Sequence, residues 1–292
     1  MSGYYDPAPR PPARGPRGAA ARLGGLGALA LPDRRRGSAA RGWLQPCSGC
    51  SSGTTANSHH LNPELFHSCR LEEVVEAFRW IAAQYAERPL FAVGFSLGGN
   101  FALRVALRAP AAGLPLAGVC AVCPVIDPAH GLAAIERAPR FYEQYFLAKW
   151  RASLRRKRAL FPERYRFDDR ALRRGLRDLT AWLVAEYTEY PSLAAYLDGY
   201  SVAGERLAGL EVPVRILTSA DDPVIPVEDF RRLALPDSAR LTVLSGGGTL
   251  RLPRRLVAAE RGQRLDRRRA ARRCAKAAGT RRWRWRPASP GW

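Results

Sequence analysis

Leu90-Phe91-Ala92-Val93-Gly94-Phe95-Ser96-Leu97-Gly98-Gly99-Asn100 carries the strongest fold signal in the chain. Leu90 to Val93 is a short apolar run, the pattern of a strand buried on both faces in a parallel sheet. Residues 100–108 read as a helix. Between the two lies Gly-x-Ser-x-Gly, in which Gly94 and Gly98 let a strand turn abruptly into a helix and push the serine hydroxyl out of a strained corner. The first N–H groups of such a helix have no intrahelical partner and face the place where negative charge would develop. On this reading Ser96 is a nucleophile and the Leu97 N–H is an oxyanion donor.

Working outward, the upstream residues Leu71, Val74, Val75, Phe78, Ile81, Ala82 and Tyr85 recur at helical steps and give one apolar stripe. Downstream, Leu116 to Ile126, Val212 to Thr218 and Leu241 to Leu244 are three more buried-strand segments, the first stopped by Asp127-Pro128. Residues 129–200 between them read as mostly helical. Their aromatic and leucine positions, Phe141, Tyr145, Trp150, Leu154, Leu172, Leu176, Leu179 and Trp182, are expected to form packing faces. The resulting order is α/β, a mostly parallel doubly wound sheet with a helical cap at about 129–200. Directly after the third of these four strands comes Ser219-Ala220-Asp221-Asp222-Pro223, which puts an acid on the edge where ligand crevices open. Asp222, followed by a turn fixed by Pro223 and Pro226, is the preferred orienting carboxylate, with Asp221 as the alternative. Either could instead only begin a turn or cap a helix.

The 292 residues carry a formal charge of +21, unevenly placed. Residues 1–50 hold eight Lys or Arg against two Asp or Glu, residues 51–250 hold 24 against 22, and residues 251–292 hold 15 against two. The nearly neutral middle is an ordinary globular sequence, so the basic excess says nothing about the folded part. Residues 1–56 are rich in Pro, Arg, Gly and Ala and show no persuasive strand, and 249–292 form an Arg-rich tail of low complexity. Both ends are expected to be irregular. No run reaches the roughly 18 apolar residues of a membrane-spanning helix, and the N-terminus lacks secretory-signal character, which together suggest a cytoplasmic protein. Cys120 and Cys123 lie on one strand segment, where residues three apart face opposite ways, so buried free thiols are expected rather than half of a zinc site.

The stretches His59-His60-Leu61-Asn62, Leu65-Phe66-His67-Ser68, Gly94 to Asn100, Cys123 to Pro128, Phe167-Asp168-Asp169, Tyr187 to Tyr190 and Ala220 to Pro223 resemble the YheT-like branch of the α/β-hydrolases. The likeness runs over about residues 57–248. It implies an α/β-hydrolase fold with a helical cap and a serine hydrolase acting on carboxylic esters, esterase- or acylglycerol lipase-like. By resemblance Ser96 takes the nucleophile position and Asp222 the charge-relay acid. No metal or organic cofactor is implied, and the apolar cap suggests a small hydrophobic ester as substrate.

The departures from that pattern are specific. The family keeps Gly-Gly-His shortly after its last strand, whereas this chain continues Ser245-Gly246-Gly247-Gly248-Thr249-Leu250-Arg251 and has no histidine after His130. The early His-Gly motif that supplies the other half of the oxyanion hole is also absent from residues 1–56. Both losses coincide with the changes in composition. Shifts of reading frame near residues 56 and 248 would account for them, because a GC-rich gene translated out of frame yields Arg, Ala, Gly and Pro; the alternative is that both ends are genuine acquired extensions. The expectation is an impaired hydrolase. The alternative is a non-catalytic protein whose tail, with Trp283 and Trp285 among arginines, contacts nucleic acid; the tail has no accompanying nucleic-acid-binding fold, which makes that partner unlikely.

Overall fold

The computed structural model describes residues 59–86 and 89–245, together with the backbone of three short strands nearer the N-terminus. Those strands are β1 (Ala21–Leu23), β2 (Gly27–Ala30) and β3 (Cys47–Cys50). The remaining strands are β4 (Leu90–Phe95), β5 (Leu116–Val122), β6 (Val214–Ser219) and β7 (Ala239–Leu244). They form one sheet in the order β3-β1-β2-β4-β5-β6-β7, in which β4 to β7 are mutually parallel. All four of the strands expected from apolar runs are therefore present and adjacent. The register aligns Phe95 with Val122 and Val122 with Leu217, so the C-terminal ends of β4, β5 and β6 lie level along one edge.

Residues 1–56, from which the sequence predicts no strand, contribute β1 to β3. β2 pairs antiparallel with β4 from Gly27 opposite Gly94 to Ala30 opposite Phe91. Strand pairing is made by backbone N–H and C=O groups, so segments of three or four residues join a sheet without the side-chain alternation that marks a longer strand in sequence. The expected irregularity elsewhere in 1–56, and the whole Arg-rich tail 249–292, lie outside the described residues.

The helices are α1 (Leu71–Gln84), α2 (Leu97–Arg108), α3 (Pro128–Arg137), α4 (Arg140–Leu160), α5 (Leu176–Tyr187), α6 (Leu193–Gly199) and α7 (Val227–Arg231). α1 buries Val74, Val75, Phe78 and Ile81, the four central residues of its predicted stripe. α2 is buried along nearly its whole length and packs with α1 against the sheet. Asp127, expected only as a stop, is the N-cap of α3: its Oδ1 accepts from Ala129 N at 2.9 Å and His130 N at 3.2 Å, with Pro128 in the first helical turn.

Helices α3 to α6 fill the interval between β5 and β6 and enclose a second apolar core of their own, including Leu147, Leu154, Leu172, Leu179 and Leu183. Phe167 meets Trp182 edge-on at 5.4 Å, and Trp182 meets Tyr187 at 5.7 Å. Two members of the expected packing stripe stay outside this core. Phe141 and Tyr145 stand 57% and 50% exposed, because the face of α4 that carries them turns away from the cap core while Leu147 and Leu154 turn into it.

Cys123 is buried as expected, but Cys120 is disulfide-bonded, which corrects the expectation of a free thiol there. The spacing of two cysteines along one strand carries no information about disulfide partners elsewhere in the chain.

Candidate active site

Ser96 directly follows β4 and is the N-cap of α2, with φ +52° and ψ −123°. A positive φ is costly for a residue with a Cβ, on the order of 1–3 kcal/mol, and persists only where the surroundings fix it. Here three backbone bonds do so. Ser96 N donates to Val122 O at 3.0 Å, and Ser96 O accepts from Asn100 N at 3.1 Å and from Val125 N at 3.3 Å. The corner is also sterically committed. A Cβ on Gly94 would stand 2.1 Å from Gly98 O, and one on Gly99 would stand 2.9 Å from Pro124 Cβ. The strand and helix arms thus approach as closely as two backbones can. Ser96 and Leu97 are partly exposed while the next three residues are buried. Leu97 is the first residue of α2, at the positive end of the helix dipole.

Asn100, next after the glycines, was not singled out for any role from the sequence. It is fully buried, and its Nδ2 donates to Val125 O at 2.9 Å and to Tyr200 O at 2.7 Å. Val125 is therefore gripped from both sides, its N–H by Ser96 O and its carbonyl by Asn100. Arg104, one turn along α2, donates to Ser68 O at 2.7 Å and reaches Asn100 Oδ1 at 3.4 Å. A polar Asn and a charged Arg four residues apart inside an otherwise apolar helix were the available signal for this network.

Two strands across, the turn after β6 holds both acids. Asp222 Oδ1 accepts from Val224 N at 2.9 Å and Ile225 N at 3.1 Å, so its carboxylate closes the turn that Pro223 shapes. Asp221 accepts from the Ser219 hydroxyl. Asp222, and not Asp221, lines an open cleft of about 350 Å³ between the turn and the end of α3, together with Arg137, Ala138, Pro223 and Pro226. Ala220 N donates to Leu244 O at 2.9 Å, which places the end of β7 beside this turn. The loop that follows β7 begins at Ser245, and Gly246 to Gly248 lie outside the described residues.

The four histidines sit elsewhere. His59 is buried, with Nε2 2.9 Å from Ser153 Oγ. His60 is exposed. His67 lines a narrow apolar crevice with Phe66, Trp150, Leu183 and Tyr196, and burial holds its pKa below the ordinary 6.5. Its Nδ1 is buried without a hydrogen-bond partner among the described residues. His130, on α3, bonds through Nδ1 to Asp229 Oδ1 of α7 at 2.7 Å, with Asp127 Oδ2 at 3.6 Å. Ser96 belongs neither to the lining of the His67 crevice nor to the His130 pair.

The His130–Asp229 bond raises the histidine pKa above 6.5, while burial pushes the Asp229 carboxyl up. A histidine whose folded pKa exceeds its unfolded value stabilises the fold at acid pH, and that contribution disappears as pH rises through the folded value. Because the His130 side chain is half exposed, the effect is expected to stay below about 1 kcal/mol. Urea unfolding at pH 6 and pH 8 should show the parent losing more stability over this interval than His130→Gln; equal losses would mean that the pair is uncoupled from folding.

A parallel sheet with helices against it, a helical insertion between two parallel strands and a strained serine at a strand-to-helix corner together define an α/β-hydrolase fold. The family model described as Hydrolase_4, serine aminopeptidase S33, matches residues 65–240, and the chain belongs to that family. It is similar to the putative esterase YheT of Escherichia coli K12, 28% identical over 204 residues that make up 68% of this chain and 57% of that protein. The chain thus spans little more than half the length of this curated relative. Among solved structures, it resembles a meta-cleavage product hydrolase, CumD, with a TM-score of 0.40 and 16% identity over 73% of this chain and 74% of the other. It also resembles an α/β fold family hydrolase from Bacillus anthracis Sterne, with a TM-score of 0.38 and 15% identity over 68% and 70%. Among the described residues there is no cluster of three or more His, Cys, Asp or Glu suited to a metal, and no helix long and apolar enough to cross a membrane.

Proposed function

We propose that the chain is a serine hydrolase of carboxylic esters, with Ser96 as nucleophile, the Leu97 N–H as an oxyanion donor and Asp222 as the orienting acid, and that it is impaired by the loss of its base. The observation that carries the reading is the positive-φ serine held between β4 and α2 by Val122, Val125 and Asn100. The reaction is acyl transfer to water. Ser96 Oγ bonds to the ester carbonyl carbon as its proton leaves; the carbonyl oxygen takes the negative charge beside the Leu97 N–H; the alkoxide departs with a proton; and water then releases the acyl group. The proton removed from Oγ in acylation and the proton removed from the attacking water in deacylation each need a base within hydrogen-bonding reach, which then returns the proton to the leaving alkoxide and to Oγ respectively. The chain offers no histidine beyond His130, and shifts of reading frame near residues 56 and 248 are the proposed cause.

A fluorophosphonate probe is accordingly expected to label Ser96 weakly or not at all, because an unassisted hydroxyl is a poor nucleophile at neutral pH whatever its geometry. Mass spectrometry of the labelled protein checks this. Strong labelling that vanishes in Ser96→Ala would reveal a working base and overturn the claim of impairment, while leaving Ser96 as nucleophile.

A further inference from the structure

α4 presents a face that neither the cap core nor the sheet uses. Phe141 and Tyr145 are among the most exposed large hydrophobic side chains of the described residues, one turn apart. Ala148, Ala152, Ala159 and the 38%-exposed Leu160 continue the exposed surface toward the C-terminal end of the helix. The aromatic end is organised rather than ragged: Phe141 packs on Tyr142 with ring centroids 4.3 Å apart, and Tyr145 meets Phe146 edge-on at 5.8 Å.

Charge accompanies the rings. The 21 residues of α4 include seven basic side chains and one acid, Glu143, which is occupied in accepting from Leu176 N at 3.0 Å. Arg140, Lys149 and Arg156 are exposed and have no carboxylate within ion-pair distance among the described residues. Lys149 Nζ lies 5.9 Å from the centre of the Tyr145 ring, so a cation and an aromatic share one spot on the surface. Arg155 is tied to Asp169 at 3.5 Å and Arg158 to the same carboxylate at 2.7 Å, whereas Lys149 and Arg156, four and eleven residues after Tyr145, are unpaired among the described residues and share the side of the helix that carries the rings.

We infer that this face of α4 docks on an anionic lipid surface, with Phe141 and Tyr145 entering the boundary between headgroups and acyl chains and Lys149 and Arg156 contacting lipid phosphates. Aromatic rings flanked by long basic side chains on one side of a helix are what an interfacial helix requires. Each such cation near an anionic leaflet strengthens binding roughly fivefold. A second copy of the chain is a poor occupant, because it would oppose one basic helix with another. Arg137 and Ala138, which with Asp222 line the cleft, lie two to three residues before the start of α4, while Ser96 is not among the residues lining that cleft. The docking itself does not depend on Ser96 being reactive, and binding is measured without turnover, so its failure is separable from failure of the hydrolase reading.

The test is co-sedimentation of the full chain with vesicles of phosphatidylcholine alone or with about one-third phosphatidylserine. The parent is expected to bind the anionic vesicles. Phe141→Ser with Tyr145→Ser, which leaves every charge in place, should weaken binding about tenfold. Lys149→Gln with Arg156→Gln should weaken it comparably and reduce the preference for phosphatidylserine. All four side chains are exposed, so unchanged circular dichroism and melting temperature are expected and serve as the control. The inference is overturned if the parent does not bind anionic vesicles. It is equally overturned if the aromatic variant binds them as tightly as the parent, since the remaining basic segments would then be responsible. Loss of self-association or of RNA binding in the variants, with vesicle binding unchanged, would assign the face to those partners and likewise overturn it.

Discussion

A chain carrying the shifted-frame translation at both ends is expected to hydrolyse a short p-nitrophenyl ester about 10³-fold faster or more than the present chain. Loss of the base in a serine triad costs on the order of 10⁶ in kcat, and about 10³ to 10⁴ over water survives only where the oxyanion hole is intact. In this chain the early His-Gly motif that resembled proteins use for the second oxyanion donor is missing as well, so the starting rate is expected to be poor. The described structure says where the new histidine must arrive. β7 ends at Leu244, whose carbonyl is bonded to Ala220 N, so a Gly-Gly-His continuation would leave the sheet beside the turn that holds Asp222. Replacing the C-terminal end alone should recover less, since β2 supplies only four residues of pairing along β4. The frames can be read first from the nucleotide sequence: no Gly-Gly-His in either shifted frame after residue 248 ends the frameshift explanation. Equal rates in the present and doubly repaired chains would remove Ser96 from the role of nucleophile.

What could be read from the sequence was what depends on neighbouring residues. The four parallel strands announce themselves as apolar runs, and the serine corner as two glycines at fixed offsets, because sheet burial and a tight strand-to-helix turn each constrain a few consecutive side chains. The clash that a Cβ at Gly94 would make with Gly98 O is that local constraint in atomic form. Features made by residues far apart in the chain were not legible. Asn100 acquires its role from carbonyls 25 and 100 residues away, and His130 finds Asp229 across 99 residues. The stripe on α4 misled for a related reason. Helical periodicity shows that two faces differ, but the choice of which face turns inward is made by the partners, and here Leu147 and Leu154 face the cap core while Phe141 and Tyr145 do not. The short strands before residue 57 escaped because backbone pairing leaves no side-chain pattern to detect.

The two adjacent acids, of which the sequence prefers Asp222 with Asp221 as the alternative, differ in their surroundings enough to give a sharp expectation. In a chain with its base restored, Asp222→Asn should lower kcat by about 10⁴, the scale on which an acid that orients and stabilises an imidazolium is felt, whereas Asp221→Asn should cost less than about tenfold. Asp222 lines the cleft and its Oδ1 is fixed by the N–H groups of Val224 and Ile225, so the carboxylate is held in place by the backbone of its own turn. Asp221 accepts from the Ser219 hydroxyl at the strand end and does not line the cleft. Asparagine is the informative replacement because its amide oxygen can still accept from both backbone N–H groups, so the turn is kept while the charge is lost; alanine would remove both at once. Melting temperatures within a few degrees of each other would show that the turn survives in both variants. A fall in kcat with KM unchanged in Asp222→Asn alone supports the assignment. The opposite ranking would transfer the acid's role to Asp221, and two unaffected variants would mean that the restored histidine works without a carboxylate from this turn.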